Sequence, residues 1–142
     1  MPASLQLVSV AIAHAELEAG QDLEALLGTM EGEPVYEFYP LGKRFSGMAN
    51  TRRYYEHFFR EVQPRIINYT PLSESIGADG VVQEFSITVQ HAGETSPAVH
   101  RIMAILTFGA ERLSGERMFS DDKFFQFLVG PLWDELEPIT LM

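Results

Sequence analysis

Residues 34–59, PVYEFYPLGKRFSGMANTRRYYEHFF, constrain what this chain can fold into more than any other stretch. Val35, Tyr36, Phe38 and Tyr39 form a short aromatic strand, Pro40, Gly42 and Gly47 close a turn, and Tyr54, Tyr55, Phe58 and Phe59 recur along a helix. One connected piece therefore supplies a strand, a corner and a helical wall, an arrangement that can hold a pocket.

Ahead of this corner, Leu5, Val8, Ala11, Ile12, Ala15 and Ala19 recur at helical spacing over residues 3–19, which predicts a long amphipathic helix ending at Gly20. Asp22 is placed to cap a shorter helix over 23–30, stopped by Gly32 and Pro34. Behind the corner, a third helix over 49–62 ends before Pro64, and a strand over 66–76 bends at Pro71, where no N–H is available for the ladder. Asp79-Gly80 signals a hairpin, followed by strands over 81–91, 99–108 and 113–120. A symmetric loop would set Phe85 opposite Leu106, Ile87 opposite Ala104, Val89 opposite Ile102 and His91 opposite His100. Ile102 and Ala104 then share an apolar face, while Arg101, Met103 and Ile105 form a mixed face suited to a second subunit. Asp121 or Asp122 caps a last helix carrying Phe124, Phe125, Phe127 and Leu128, and Leu132, Trp133 and Leu136 continue the apolar tail beyond Gly130-Pro131.

Helices in this order cover one face of a sheet, so the sheet is expected to curl around them. The expected class is α+β: one domain over 1–142, with a curved mixed or antiparallel sheet wrapped around the long N-terminal helix, cone-shaped and with an internal cavity. At 142 residues the chain buries enough surface to fold without a disulfide or a metal, and it contains no cysteine, which excludes thiolate zinc sites and thiol nucleophiles. Ten Lys and Arg against twenty Asp and Glu give a net charge of -10, which repels phosphate backbones and anionic membranes. No apolar run approaches the roughly 18 residues of a membrane span, and no secretory leader is recognisable. A cytoplasmic protein with neither nucleic acid nor membrane as partner is expected.

The element order, with LEAGQDLEALL, VYEFYPLG, the RYYEHF helix and the closing ERMFSDD, resembles the SnoaL-like and ketosteroid-isomerase branch of the nuclear-transport-factor-like superfamily over almost the whole chain. That resemblance implies a cone-shaped cavity for a small, often apolar molecule and a homodimer formed through the sheet. The isomerase's residues carry over poorly. Tyr39 stands where its general-base aspartate precedes a proline, Ala13 or His14 where its oxyanion-hole tyrosine lies, and Ala104 near its protonated aspartic acid; only its supporting tyrosine is matched, by Tyr55. A tyrosine with a pKa of about 10 is a poor substitute for a carboxylate base. The related epoxide-hydrolase trio is also incomplete, because Arg101 is accompanied by Met103 and Met118 where carboxylates are expected. A cyclase-type carboxylate near the end of the last strands would be Glu116 or Asp121.

The candidate catalytic residues are therefore His14, Tyr39, Tyr55 and Glu116, the last conditional on which face of its strand turns inward. His14 is either a cavity acid or base or a buried, hydrogen-bonded helix histidine. Tyr36, Tyr54, His57, His100, Ile102, Ala104 and Met118 are candidate ligand contacts; the tyrosines serve equally as core aromatics and His57 as a surface-edge residue. His91 and His100 on one face invite a metal, but the further ligands zinc needs are not placed, so neither metal nor cofactor is expected. The leading expectation is a small, mainly apolar ligand in the cone, with proton transfer by an isomerase, cyclase or dehydratase type of reaction. The rival is a non-enzymatic binding or dimerisation module.

Overall fold

The computed structural model describes residues 5–140. Helix α1 (Leu5–Ala19) and the short α2 (Leu23–Leu27) lead into strands β1 (Met30–Tyr39) and β2 (Lys43–Ser46), then helix α3 (Met48–His57). Strands β3 (Ile66–Ile76), β4 (Gly80–Val89), β5 (Ala98–Phe108) and β6 (Leu113–Phe119) follow, then helix α4 (Asp122–Val129) and a two-residue β7 (Glu137–Pro138). The strands form one mixed sheet in the order β3-β4-β5-β6-β1-β2-β7, with β1 parallel to β6 and the other neighbours antiparallel.

The α+β class, the long first helix and the predicted long strands are present. Two elements differ from expectation. Met30 starts β1 instead of ending α2, and the stretch after Pro40 returns as β2, where Phe45 alone is buried. A four-residue strand with one apolar anchor carries too little alternation to be read from sequence. The third helix reaches Val62 as foreseen, but its last turn, Phe58–Val62, widens to a π-helix before a 3-10 turn at Gln63–Arg65. Pro71 lies at an irregularity of the β3–β4 ladder, as its missing N–H requires.

The β4–β5 register also differs. Phe85 lies opposite Ile102 and Ile87 opposite His100, four residues from the symmetric-loop pairing. An even displacement leaves every side chain on its foreseen face, so Ile102, Ala104 and Leu106 still point into the core.

The register lays out the inner surface in rows. Tyr36 of β1 pairs with Glu116 of β6, which pairs with Leu106 of β5; Phe38 pairs with Met118, and Met118 with Ala104. All six are buried. The adjacent outer row is Tyr39, Phe119 and Met103, with the rings of Tyr39 and Phe119 stacked 5.2 Å apart. Helices α1, α3 and α4 pack on the inner rows through Ala11, Tyr54, Tyr55, Phe124, Phe125 and Leu128.

Candidate functional site

One break in alternation decides which face of β6 turns inward. Leu113 and Glu116 both point inward although they are three residues apart, because Ser114 is skipped where the β5–β6 pairing passes from Phe108↔Leu113 to Thr107↔Gly115. Gly115 absorbs the irregularity at φ +145, against the backbone of Val35, where a Cβ would overlap the Val35 carbonyl oxygen. Past it, Glu116 and Met118 face the interior and Arg117 and Phe119 face out.

Glu116 borders a cavity of about 400 Å³, within the range of small-molecule sites. Ala15, Glu18 and Ala19 of α1 form one wall and Tyr54, Tyr55 and Phe58 the second; the sheet contributes Phe85, Ile87, Ala104 and Met118, and Phe124 and Leu128 close the far side. Gln63, Ile66, Tyr69 and Gln83 complete the lining. The lining is mainly apolar, and its charged side chains are Glu18 and Glu116 alone.

A hydrogen-bonded cluster underlies this wall. The Thr29 hydroxyl donates to the Leu26 carbonyl at 2.6 Å, so toward His14 it is an acceptor, and the His14 Nδ1–H donates to it at 2.7 Å. This fixes the tautomer of the neutral ring and turns Nε2 toward Glu18 Oε1 at 3.0 Å and the Tyr55 hydroxyl at 3.1 Å. The Tyr55 hydroxyl also lies 2.6 Å from that of Tyr36 and 3.3 Å from Glu18 Oε1. An imidazole lone pair and a carboxylate oxygen are both acceptors, so the 3.0 Å contact is a hydrogen bond only when one of the two carries a proton, while the Tyr55 hydroxyl donates separately to Glu18 Oε1. His14, Glu18 and Tyr55 thus form one hydrogen-bonded unit.

Glu116 differs from Glu18 in its surroundings. It has no hydrogen bond among the described residues, and His14 Nε2 lies 3.9 Å from its Oε1. Burial, reinforced by the charge of Glu18, pushes its carboxyl well above the usual range, which favours its protonated form. Burial first, and then the neighbouring acidic groups, also raises the phenols of Tyr36, Tyr54 and Tyr55 well above their usual value. They are hydrogen-bonding groups here and not bases. His14, Glu18 and Glu116 bring one nitrogen and two carboxylate oxygens within 4.8 Å of one another, a donor set that fits a divalent cation only after Glu116 ionises.

The remaining sequence candidates distribute as follows. Tyr54, Tyr55, Glu116, Ala104 and Met118 border the cavity, and His14 lies directly behind it through Glu18 and Tyr55. Tyr36 is fully buried one layer back, stacked on Phe45 and bonded to Tyr55. Tyr39 does not reach the site: alternation on β1 turns Tyr36 and Phe38 inward and Tyr39 outward onto Phe119. His57 bonds the Phe127 carbonyl at 2.9 Å, and Ile102 is plain core. His100 is likewise outside the cavity. Its Nε2 is 2.8 Å from Nε2 of His91, and its Nδ1 meets Asp121 Oδ2 at 2.7 Å, while Asp121 Oδ1 accepts from the Phe124 N–H at 2.7 Å and caps α4. Glu18 and Thr29 were not singled out from sequence. The spacing of His14 and Glu18, four residues apart on one helix face, is the signal that could have found the first.

No protein-family model matches the sequence, and neither does any curated protein. Solved structures do match. A protein from Kribbella flavida superposes with a TM-score of 0.65 at 20% identity, over 93% of this chain and 99% of its own. An NTF2-like protein of unknown function from Cytophaga hutchinsonii gives 0.66 at 12% identity, over 81% and 99%. A steroid delta-isomerase from Pseudomonas aeruginosa gives 0.66 at 16% identity, over 92% and 90%. The fold is thus the cone fold of NTF2-like and ketosteroid-isomerase-like proteins, an open seven-stranded sheet curled over a long first helix. Among the described residues no helix is long and apolar enough to cross a membrane.

Proposed function

We propose that this protein binds a small, mainly apolar molecule in the cone and transfers a proton to or from it without a cofactor. The observation that carries this reading is the contrast between two carboxyls on one cavity: Glu116 is buried with no hydrogen bond among the described residues and is pushed toward its protonated, donating form, while Glu18 is partly exposed and joined to His14 and Tyr55 as the accepting side. Environments that separate two carboxyls in this way assign acid and base roles, and such groups typically accelerate proton transfer about 10²–10⁴-fold. Fold likeness to a steroid delta-isomerase is compatible with this class of chemistry and does not choose the substrate.

Methyl-resolved NMR with cyclohexanone in D₂O tests both halves. The expected result is shift changes at Ile87, Ala104 and Met118, with deuterium entering the α-position faster than in buffer and Glu116→Gln slowing that exchange. Shift changes confined to the outer face, at Val99 or Met103, would remove the cavity reading. Binding in the cavity with exchange no faster than in buffer would instead favour the non-catalytic alternative, a ligand-binding or dimerisation module. A homodimer through the outer sheet face is part of the proposal in either case, supported by the exposure of Val99, Met103 and Phe119 on that face.

A further inference from the structure

Resting on the reading of the cavity as a ligand site, we propose that its occupant carries a basic nitrogen, an amine or imine on an apolar body, held as a cation between Glu116 and Glu18. Apart from Glu116 and the exposed Tyr69, whose hydroxyl has no hydrogen bond among the described residues, the polar side chains around the cavity direct donors elsewhere. Gln63 Nε2 donates to the carbonyls of Glu18, Ala19 and Gly20 at 3.0, 3.1 and 3.2 Å, closing the end of α1. Gln83 Nε2 donates to Glu74 at 3.0 Å, the Tyr54 hydroxyl to the Met118 sulfur at 3.9 Å, and the Tyr55 hydroxyl is engaged with His14, Tyr36 and Glu18. Among the described residues no Lys or Arg borders the space.

Against that shortage stand two carboxyls. Glu116 is 5% exposed, faces the cavity and has no hydrogen bond among the described residues, while Glu18 lies at the same wall with a third of its side chain open. An anion would face a carboxylate with no cation to receive it, and a neutral carbonyl would engage Glu116 but bring neither a polar donor nor positive charge to Glu18, whose carboxylate bonds among the described residues, to His14 and Tyr55, use Oε1 alone. An ammonium or iminium answers both. The rings of Tyr54, Phe58, Tyr69, Phe85 and Phe124 offer π faces that attract a cation and cover its apolar body. A free amine takes its proton from Glu116: the O–H bond breaks, an N–H bond forms, and carboxylate and ammonium remain as a pair. An amine that arrives protonated forms the same pair as Glu116 releases its proton to solvent.

Isothermal titration calorimetry of the full chain at about pH 7 tests this with three probes of one shape, benzylamine, benzyl alcohol and benzoate. The expected order is benzylamine at least about tenfold tighter than benzyl alcohol, with no binding of benzoate. Glu116→Gln is expected to abolish the amine's advantage over the alcohol. Alcohol or benzoate binding as tightly as the amine, or an amine preference that survives Glu116→Gln, overturns the nitrogen and leaves the cavity reading standing. If none of the three binds, the cavity reading falls with it. The wild-type comparison decides the matter even if the variant does not fold.

Discussion

Glu116 sits between Tyr36 and Leu106 in the sheet, beside an apolar cavity, and among the described residues no hydrogen bond offsets the cost of ionising it. Its folded pKa is raised above its unfolded value, so between the two the folded chain holds a proton that the unfolded chain has lost. Stability from this group is complete below about pH 4.5 and declines as pH rises toward the folded value, by at most about 1.4 kcal/mol per pH unit. The burial-depressed pKa of His91 acts in the opposite sense below about pH 6.5 and cancels on comparison with a variant. Measured by thermal melts from about pH 5 to 8, wild type should lose stability relative to Glu116→Gln as pH rises; a difference that stays flat contradicts the assignment. At this scale the sequence was legible where helical spacing governs, as for His14 and Tyr55. It was not where strand phase governs. Tyr39 read as a site residue because its place before Pro40 drew attention, while the alternation that carries Tyr36 inward necessarily carries Tyr39 outward.

The elements were legible in proportion to their periodicity. Strands β4 and β5 alternate over long enough runs to be seen, and Asp22 and Asp121 cap helices as their positions suggest. The parallel pairing of β1 with β6 was hidden, because nothing local to VYEFY or ERMF states that strands so far apart in the chain are neighbours. The irregularity at Gly115 was equally hidden, since a lone glycine in a strand marks either a close approach or nothing. It controls the site, because without it Glu116 would share the outward phase of Ser114. Gly115→Ala should therefore cost about 3 kcal/mol or more in equilibrium denaturation, through overlap with Val35 and a left-handed φ that alanine tolerates poorly. A loss below about 0.5 kcal/mol would show that the strand can re-register around the new side chain.

For the molecule as a whole, two faces of one sheet carry two tasks: the inner encloses the cavity, and the outer exposes the Tyr39, Phe119 and Met103 row with Arg101 and Glu84 paired beside it. Sedimentation should find a dimer in wild type and a monomer in Met103→Lys with unchanged far-UV circular dichroism; a variant that stays dimeric would place the contact elsewhere. Element, fold and chemistry meet in a buried carboxyl that faces open space and whose pKa burial raises. A ¹³C-carboxyl NMR titration of Glu116 in the ligand-free protein examines that state directly. The resonance should remain that of the protonated acid well above pH 4.5, and an ordinary carboxylate titration centred near 4.5 would contradict the account.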